Sequence, residues 1–110
     1  YNVVRDLANR IMMDYPDSDL GYSIHGKIAK LYRRDSEMIK WHREALDRNP
    51  DRVDLHFELG LVYNGKKETV ALARDHYKKV LAISPDHPKG DFIKEWIANI
   101  DRHLAQAPGK

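Results

Sequence analysis

Apolar residues recur along the chain at three- and four-residue steps, in blocks separated by proline, glycine and short polar runs. Val4, Leu7, Ala8, Ile11 and Met12 fall at i, i+3, i+4, i+7 and i+8, which predicts a helix with one apolar stripe over residues 1–14. Arg5, Asp6, Asn9 and Arg10 fill its other side. Tyr15-Pro16-Asp17-Ser18 breaks the run, and Ser18 or Asp17 is placed to cap the next helix. That helix is expected from about Asp19 to Arg33, with Tyr22, Ile24, Ile28, Leu31 and Tyr32 among its apolar positions. Asp35 or Ser36 then caps a third helix, with Glu37 suited to the positive end of its dipole and Met38, Ile39, His42, Ala45 and Leu46 facing inward. Asn49-Pro50-Asp51 stops it, and Asp51 can cap a fourth helix, with Asp54 in its first turn.

The fourth helix places Leu55, Leu59, Val62 and Tyr63 inward and ends at the Asn64-Gly65 turn. A fifth is expected from about Glu68 to Ile83, with Val70, Ala73, Tyr77, Val80 and Leu81 inward, stopped by Ser84-Pro85-Asp86. In residues 88–104, Phe92, Ile93, Trp96, Ile97, Ile100 and Leu104 lie at helical spacing, and Ala105 to Lys110 reads as a disordered tail. The fold class is all-α.

Spacing adds a second layer of order. Gly26 and Gly60 are 34 residues apart, and Pro16 and Pro50 are also 34 apart. Pro50 and Pro85 are 35 apart, as are Ala45-Leu46 and Val80-Leu81. A fixed period in this range marks a stacked-repeat architecture. Glycine in mid-helix costs about 1 kcal/mol relative to alanine, so Gly26 and Gly60 are poor choices for helix stability alone. A missing side chain lets a neighbouring helix come close, and Ala45 can serve the same end from the other helix.

The motif His56-x-x-Leu59-Gly60-x-x-Tyr63, then Ala73-x-x-x-Tyr77, then Pro85, resembles the tetratricopeptide repeat family, a helix–turn–helix unit of 34 residues. Residues 53–87 match the family pattern except at His56, which stands in place of tryptophan. The extra residue fits in the turn near Asn64-Gly65-Lys66-Lys67, where an insertion costs little. Residues 19–52 form a weaker copy: Tyr22, Gly26, Ala45 and Pro50 agree, while His25, Ala29, Met38 and His42 depart. By the same resemblance, residues 1–18 are helix B of an earlier repeat, the chain is a piece of a longer protein, and residues 88–104 are a capping helix.

The resemblance implies a short right-handed solenoid whose helices A line a concave groove for a peptide or a partner helix. By repeat position that groove shows Leu20, Ser23, Lys27, Lys30 and Leu31, then Asp54, Phe57, Glu58, Leu61 and Asn64. Ser23, Lys27, Lys30, Phe57, Leu61 and Asn64 are its candidate peptide-binding residues. Phe57 and Leu61, one turn apart and outside the packing positions, suit an apolar or amphipathic segment, with Lys27 and Lys30 steering acidic groups. Alternatively, the last helix covers Phe57 and Leu61 with Phe92 or Trp96. The family's carboxylate-clamping subclass is not supported, since Ser23, Phe57 and Leu61 stand where its Lys and Asn residues belong and only Lys27 could serve.

Composition narrows the remaining chemistry. The 110 residues are 42% hydrophobic and 33% charged, with 19 basic and 17 acidic side chains interspersed for a net charge of +2. That balance does not point to nucleic acid or an anionic membrane. No apolar run is long enough to span a bilayer. Without cysteine there is no disulfide or thiolate chemistry, and the compartment stays open. The six histidines include no His-Glu-x-x-His and no pair at i, i+4, so His25, His42 and His56 read as packing residues rather than metal ligands. The Asp17-Ser18-Asp19 run lacks the calcium-loop glutamate, since Ile28 stands there, and Gly65-Lys66-Lys67 lacks the frame of a phosphate loop. No catalytic constellation and no cofactor is indicated. The expected function is a non-catalytic protein–protein interaction module. Self-association through Val4, Leu7, Ala8 and Ile11, or an accessory role beside an enzyme in the parent chain, are the alternatives.

Overall fold

A computed structural model describes residues 2–106. Six helices run in chain order: α1 (Asn2–Asp14), α2 (Leu20–Leu31), α3 (Asp35–Arg48), α4 (Val53–Tyr63), α5 (Val70–Ile83) and α6 (Gly90–Gln106). No strand occurs among the described residues, so the all-α expectation holds. The expected tail does not begin at Ala105. Ala105 and Gln106 extend α6, as two good helix formers ahead of the first breaker, Pro108. The rest of that expected tail, residues 107–110, lies outside the described residues, as does Tyr1.

The chain divides into two compact units, residues 1–55 and 56–110, with the division inside α4. In the first unit α2 packs on α1 and on α3. Ala8, Met38, His42 and Ala45 are buried there, opposite Ile28 and Ala29 of α2. Gly26 carries the closest approach, since a Cβ at this position would run into the His42 imidazole. Arg48 ties three segments together. Its Nε donates to the Pro16 carbonyl at 2.9 Å, its Nη2 to the Tyr22 hydroxyl at 3.0 Å, and its guanidinium lies 3.8 Å over the Tyr22 ring.

The α2–α3 turn has its own cost. The Arg34 N–H donates to the Ala29 carbonyl and the Arg33 N–H to the Lys30 carbonyl, a Schellman closure of α2. Arg33 sits at φ 57°, a left-handed position that favours glycine. Leu31 and Tyr32, expected among the apolar positions, are exposed, Leu31 at 80%. Tyr32 is the C-cap where the chain turns away, and Leu31 falls on the outer strip of α2 with Leu20 and Lys27. At the start of α2 the N-cap is Asp19, without a side-chain cap bond, rather than the expected Ser18 or Asp17; the Ser18 Oγ accepts the Leu20 N–H in a local turn. Arg34 and Thr69, at the N-caps of α3 and α5, make no side-chain cap bond.

In the second unit Gly60 repeats the role of Gly26. A Cβ at Gly60 would collide with the Tyr77 ring. Leu59, Ala73, Tyr77, Val80 and Ile93 are fully buried. The Thr69 hydroxyl donates to the Tyr63 carbonyl at 2.7 Å and so closes the end of α4. Arg74 of α5 reaches Asp101 of α6 at 3.0 Å.

The helices α3 and α5 each hold 14 residues and begin and end 35 positions apart. Their C-caps, Asn49 and Ser84, have nearly the same backbone angles, φ −143° and −131°, ψ 88° and 81°.

Candidate functional site

Burial of Leu55, His56, Leu59, Gly60 and Tyr63 turns the opposite side of α4 outward. In the second unit that side carries Phe57 and Leu61, with Asn64 just past the helix end. Phe57 is half-buried, its ring centre 5.5 Å from His87 and 6.3 Å from Trp96. Trp96 also lies 5.4 Å from Tyr77 and 6.3 Å from Phe92. The two sequence alternatives therefore divide between the residues. Trp96 of α6 flanks Phe57, while Leu61 remains 45% exposed and Phe92 58% exposed. The Asn64 N–H donates to the Gly60 carbonyl at 3.0 Å. Burial pushes the Tyr77 phenol up, and the Asn64 side chain beside it works in the other direction.

The candidates on α2 have different surroundings. Ser23 is 2% exposed, and its hydroxyl donates to the Leu20 carbonyl at 2.9 Å. It presents no surface to a ligand, because α2 is buried over a wide arc that includes its side. Lys27 stands 3.0 Å from Asp54, which also accepts from Arg52 at 3.1 and 2.9 Å. Arg52 in turn reaches Asp19 at 2.5 Å. Partial burial pushes the Asp54 carboxyl up, but the hydrogen bonds and charges of Arg52 and Lys27 outweigh it and hold the group well below the usual carboxylate range. Lys27 is thus engaged within its own unit, and Lys30 lies at an exposed position of the same helix.

His25, His42 and His56 are all buried, in keeping with a packing role. His25 Nε2 donates to Asn9 at 2.7 Å, and its ring stacks on Trp41 at 4.4 Å. Burial, then the charge of Arg5, lowers its pKa. His56 and His76 meet through their Nδ1 atoms at 2.9 Å. One ring must donate and the other accept, so this bond exists only while at least one is neutral. No group of three His, Asp or Glu side chains stands ready for a metal among the described residues.

Ring pairs across each hairpin were not foreseen. Tyr22 lies 6.1 Å from Trp41, and His56 lies 5.2 Å from His76. The signal was present in the spacing, 34 residues between the first partners and 35 between the second.

Comparison of the chain with protein-family models, curated proteins and solved structures finds no match in any of the three.

Proposed function

We propose that the chain is a tetratricopeptide-type repeat protein and works, without catalysis, as a protein–protein interaction module. The observation that carries this reading is duplicated packing. In the first unit Tyr22 pairs with Trp41 and Gly26 lies under His42. In the second His56 pairs with His76 and Gly60 lies under Tyr77. These first-helix residues are 34 positions apart and these second-helix residues 35. One supersecondary unit used twice, with a single residue added in the α4–α5 turn, accounts for both offsets.

The partner segment, an extended peptide or an amphipathic helix, would lie on the outward side of α4. Leu61 offers an exposed apolar contact, and the rim of the Phe57–Trp96 pair supplies the flat aromatic surface that anchors such segments. Affinity capture with the wild-type chain and with Phe57→Ala/Leu61→Ala tests this. A partner lost from the double variant, whose helical circular dichroism is retained, supports the α4 face. Equal recovery by both contradicts it.

A second reading, self-association, draws on α1. Ala8 is fully buried and Ile11 half-buried, but Val4 and Leu7 are 45% and 54% exposed. Light scattering at several concentrations distinguishes a growing assembly from a constant monomer.

A further inference from the structure

The turn after α4, the start of α5 and the outer end of α6 enclose a cleft of about 410 Å³ within the second unit. Its size lies in the range of small-ligand sites, roughly 300–1,000 Å³. Val70, Trp96 and Ile100 supply apolar surface. Lys66, Lys67 and His103 stand around them, with the amides of Asn64 and Asn99. No carboxylate lines the cleft among the described residues. The nearby acid on α6, Asp101, is held by Arg74, and the Asn99 side-chain Oδ1 accepts from Arg102. An apolar floor under basic donors selects for a particular ligand chemistry: an aromatic or bulky aliphatic group joined to a carboxylate.

We infer that this cleft is a binding site for such an aromatic carboxylate; it shares Trp96 and Asn64 with the proposed α4 face, while Phe57 and Leu61 do not line it. The apolar group lies against Trp96, where stacking and burial supply affinity. The carboxylate meets Lys66 and Lys67, whose flexible stems adapt to the ligand while the turn that carries them is tied to Thr69. Two sources fit this chemistry. One is a free small acid. The other is an aromatic residue beside an acidic residue in a peptide.

Titration of the ¹⁵N-labelled chain with naphthylacetate, naphthylacetamide and the peptide acetyl-Asp-Phe-Asp-amide, monitored by amide shifts, tests the inference. Naphthylacetate is expected to move the Gly65, Lys66 and Asn99 amides and the Trp96 indole N–H. The uncharged amide should bind about tenfold more weakly, the worth of one charge-assisted contact. Added salt should weaken the acid and leave the amide unchanged. Lys66→Ala/Lys67→Ala, both at exposed positions, should bring the acid down to the level of the amide, while Leu61→Ala should change nothing. Tighter binding of the peptide assigns the site to a protein segment, and tighter binding of naphthylacetate assigns it to a small acid. Equal affinities for acid and amide, or shifts that miss these residues, overturn the inference.

Discussion

Places 34 or 35 residues apart in the two units are filled by different chemistry. Against Gly26 lies an imidazole, His42, and against Gly60 lies a larger phenol, Tyr77. The paired rings beside them are Tyr22 with Trp41 in one unit and two histidines in the other. Around these the first unit is laced with charge: Arg48 over Tyr22, and the Asp19–Arg52–Asp54–Lys27 chain. The second unit is bound mainly by rings, with Trp96 touching Phe57, Tyr77 and Phe92. What the two share is a missing Cβ under a buried ring. The geometry is set by the glycine backbone, and the ring is free to vary as long as it fills the space.

The contrast can be broken most strongly at the ring. Tyr77→Ala should cost about 3–5 kcal/mol in chemical denaturation, the usual range for an emptied aromatic core site. His42→Ala should cost less, because an imidazole buries less apolar surface. In a double-mutant cycle, Gly60→Ala should be harmful beside Tyr77 and harmless or favourable beside Ala, where the helix propensity of alanine is no longer offset by a collision.

Next comes the ionic side of the comparison. Arg48→Met removes hydrogen bonds to Pro16 and Tyr22 together with the ring contact, and should cost about 1–3 kcal/mol in the same measurement. Ile83 stands at the corresponding place in α5, 35 positions on, and has no such network to lose.

Acid should sharpen the difference further. The folded state holds His25 below its unfolded value of 6.5, so the unfolded chain takes up its proton first and stability falls as pH drops below about 6.5. His25→Phe should flatten part of this loss between pH 7 and 5 in thermal melts. Asp54 acts lower on the scale. Its depressed carboxyl contributes stability above the unfolded value of 3.8, and that contribution is lost as pH falls further. The smallest effect is a gain. Arg33→Gly relieves the left-handed backbone at φ 57° and should raise the melting temperature by about 2–3 °C, after the entropy of the freer unfolded chain is subtracted.

The helices were legible in the sequence because their apolar positions recur strictly and because Pro16, Pro50 and Pro85 punctuate them. The inward set Leu55, Leu59, Ala73, Tyr77 and Val80 came from the same period and is buried. Exposed apolar residues were harder to place. Leu31 and Phe92 fit a helical stripe by spacing, yet a stripe states which residues share a side and not where the neighbouring helix ends. Ser23 was assigned to the surface by repeat position. Its burial depends on how wide an arc of α2 is covered, and the period does not encode that. The pairing of Lys27 with Asp54 was equally out of reach, because both were read as surface charges 27 residues apart. The cleft at Lys66 and Lys67 depends on where α6 lies beside a turn, a tertiary fact with no local signature.

The claim of duplicated packing is most directly tested by proton–proton contacts in solution. A nuclear Overhauser spectrum of the labelled chain should connect the Gly26 α-protons to the His42 ring and the Gly60 α-protons to the Tyr77 ring, with both pairs of α-protons shifted by ring currents. Finding both sets of contacts is the result that one unit used twice requires. Contacts in one hairpin and none in the other would contradict it, leaving the 34- and 35-residue spacing without a common structure behind it.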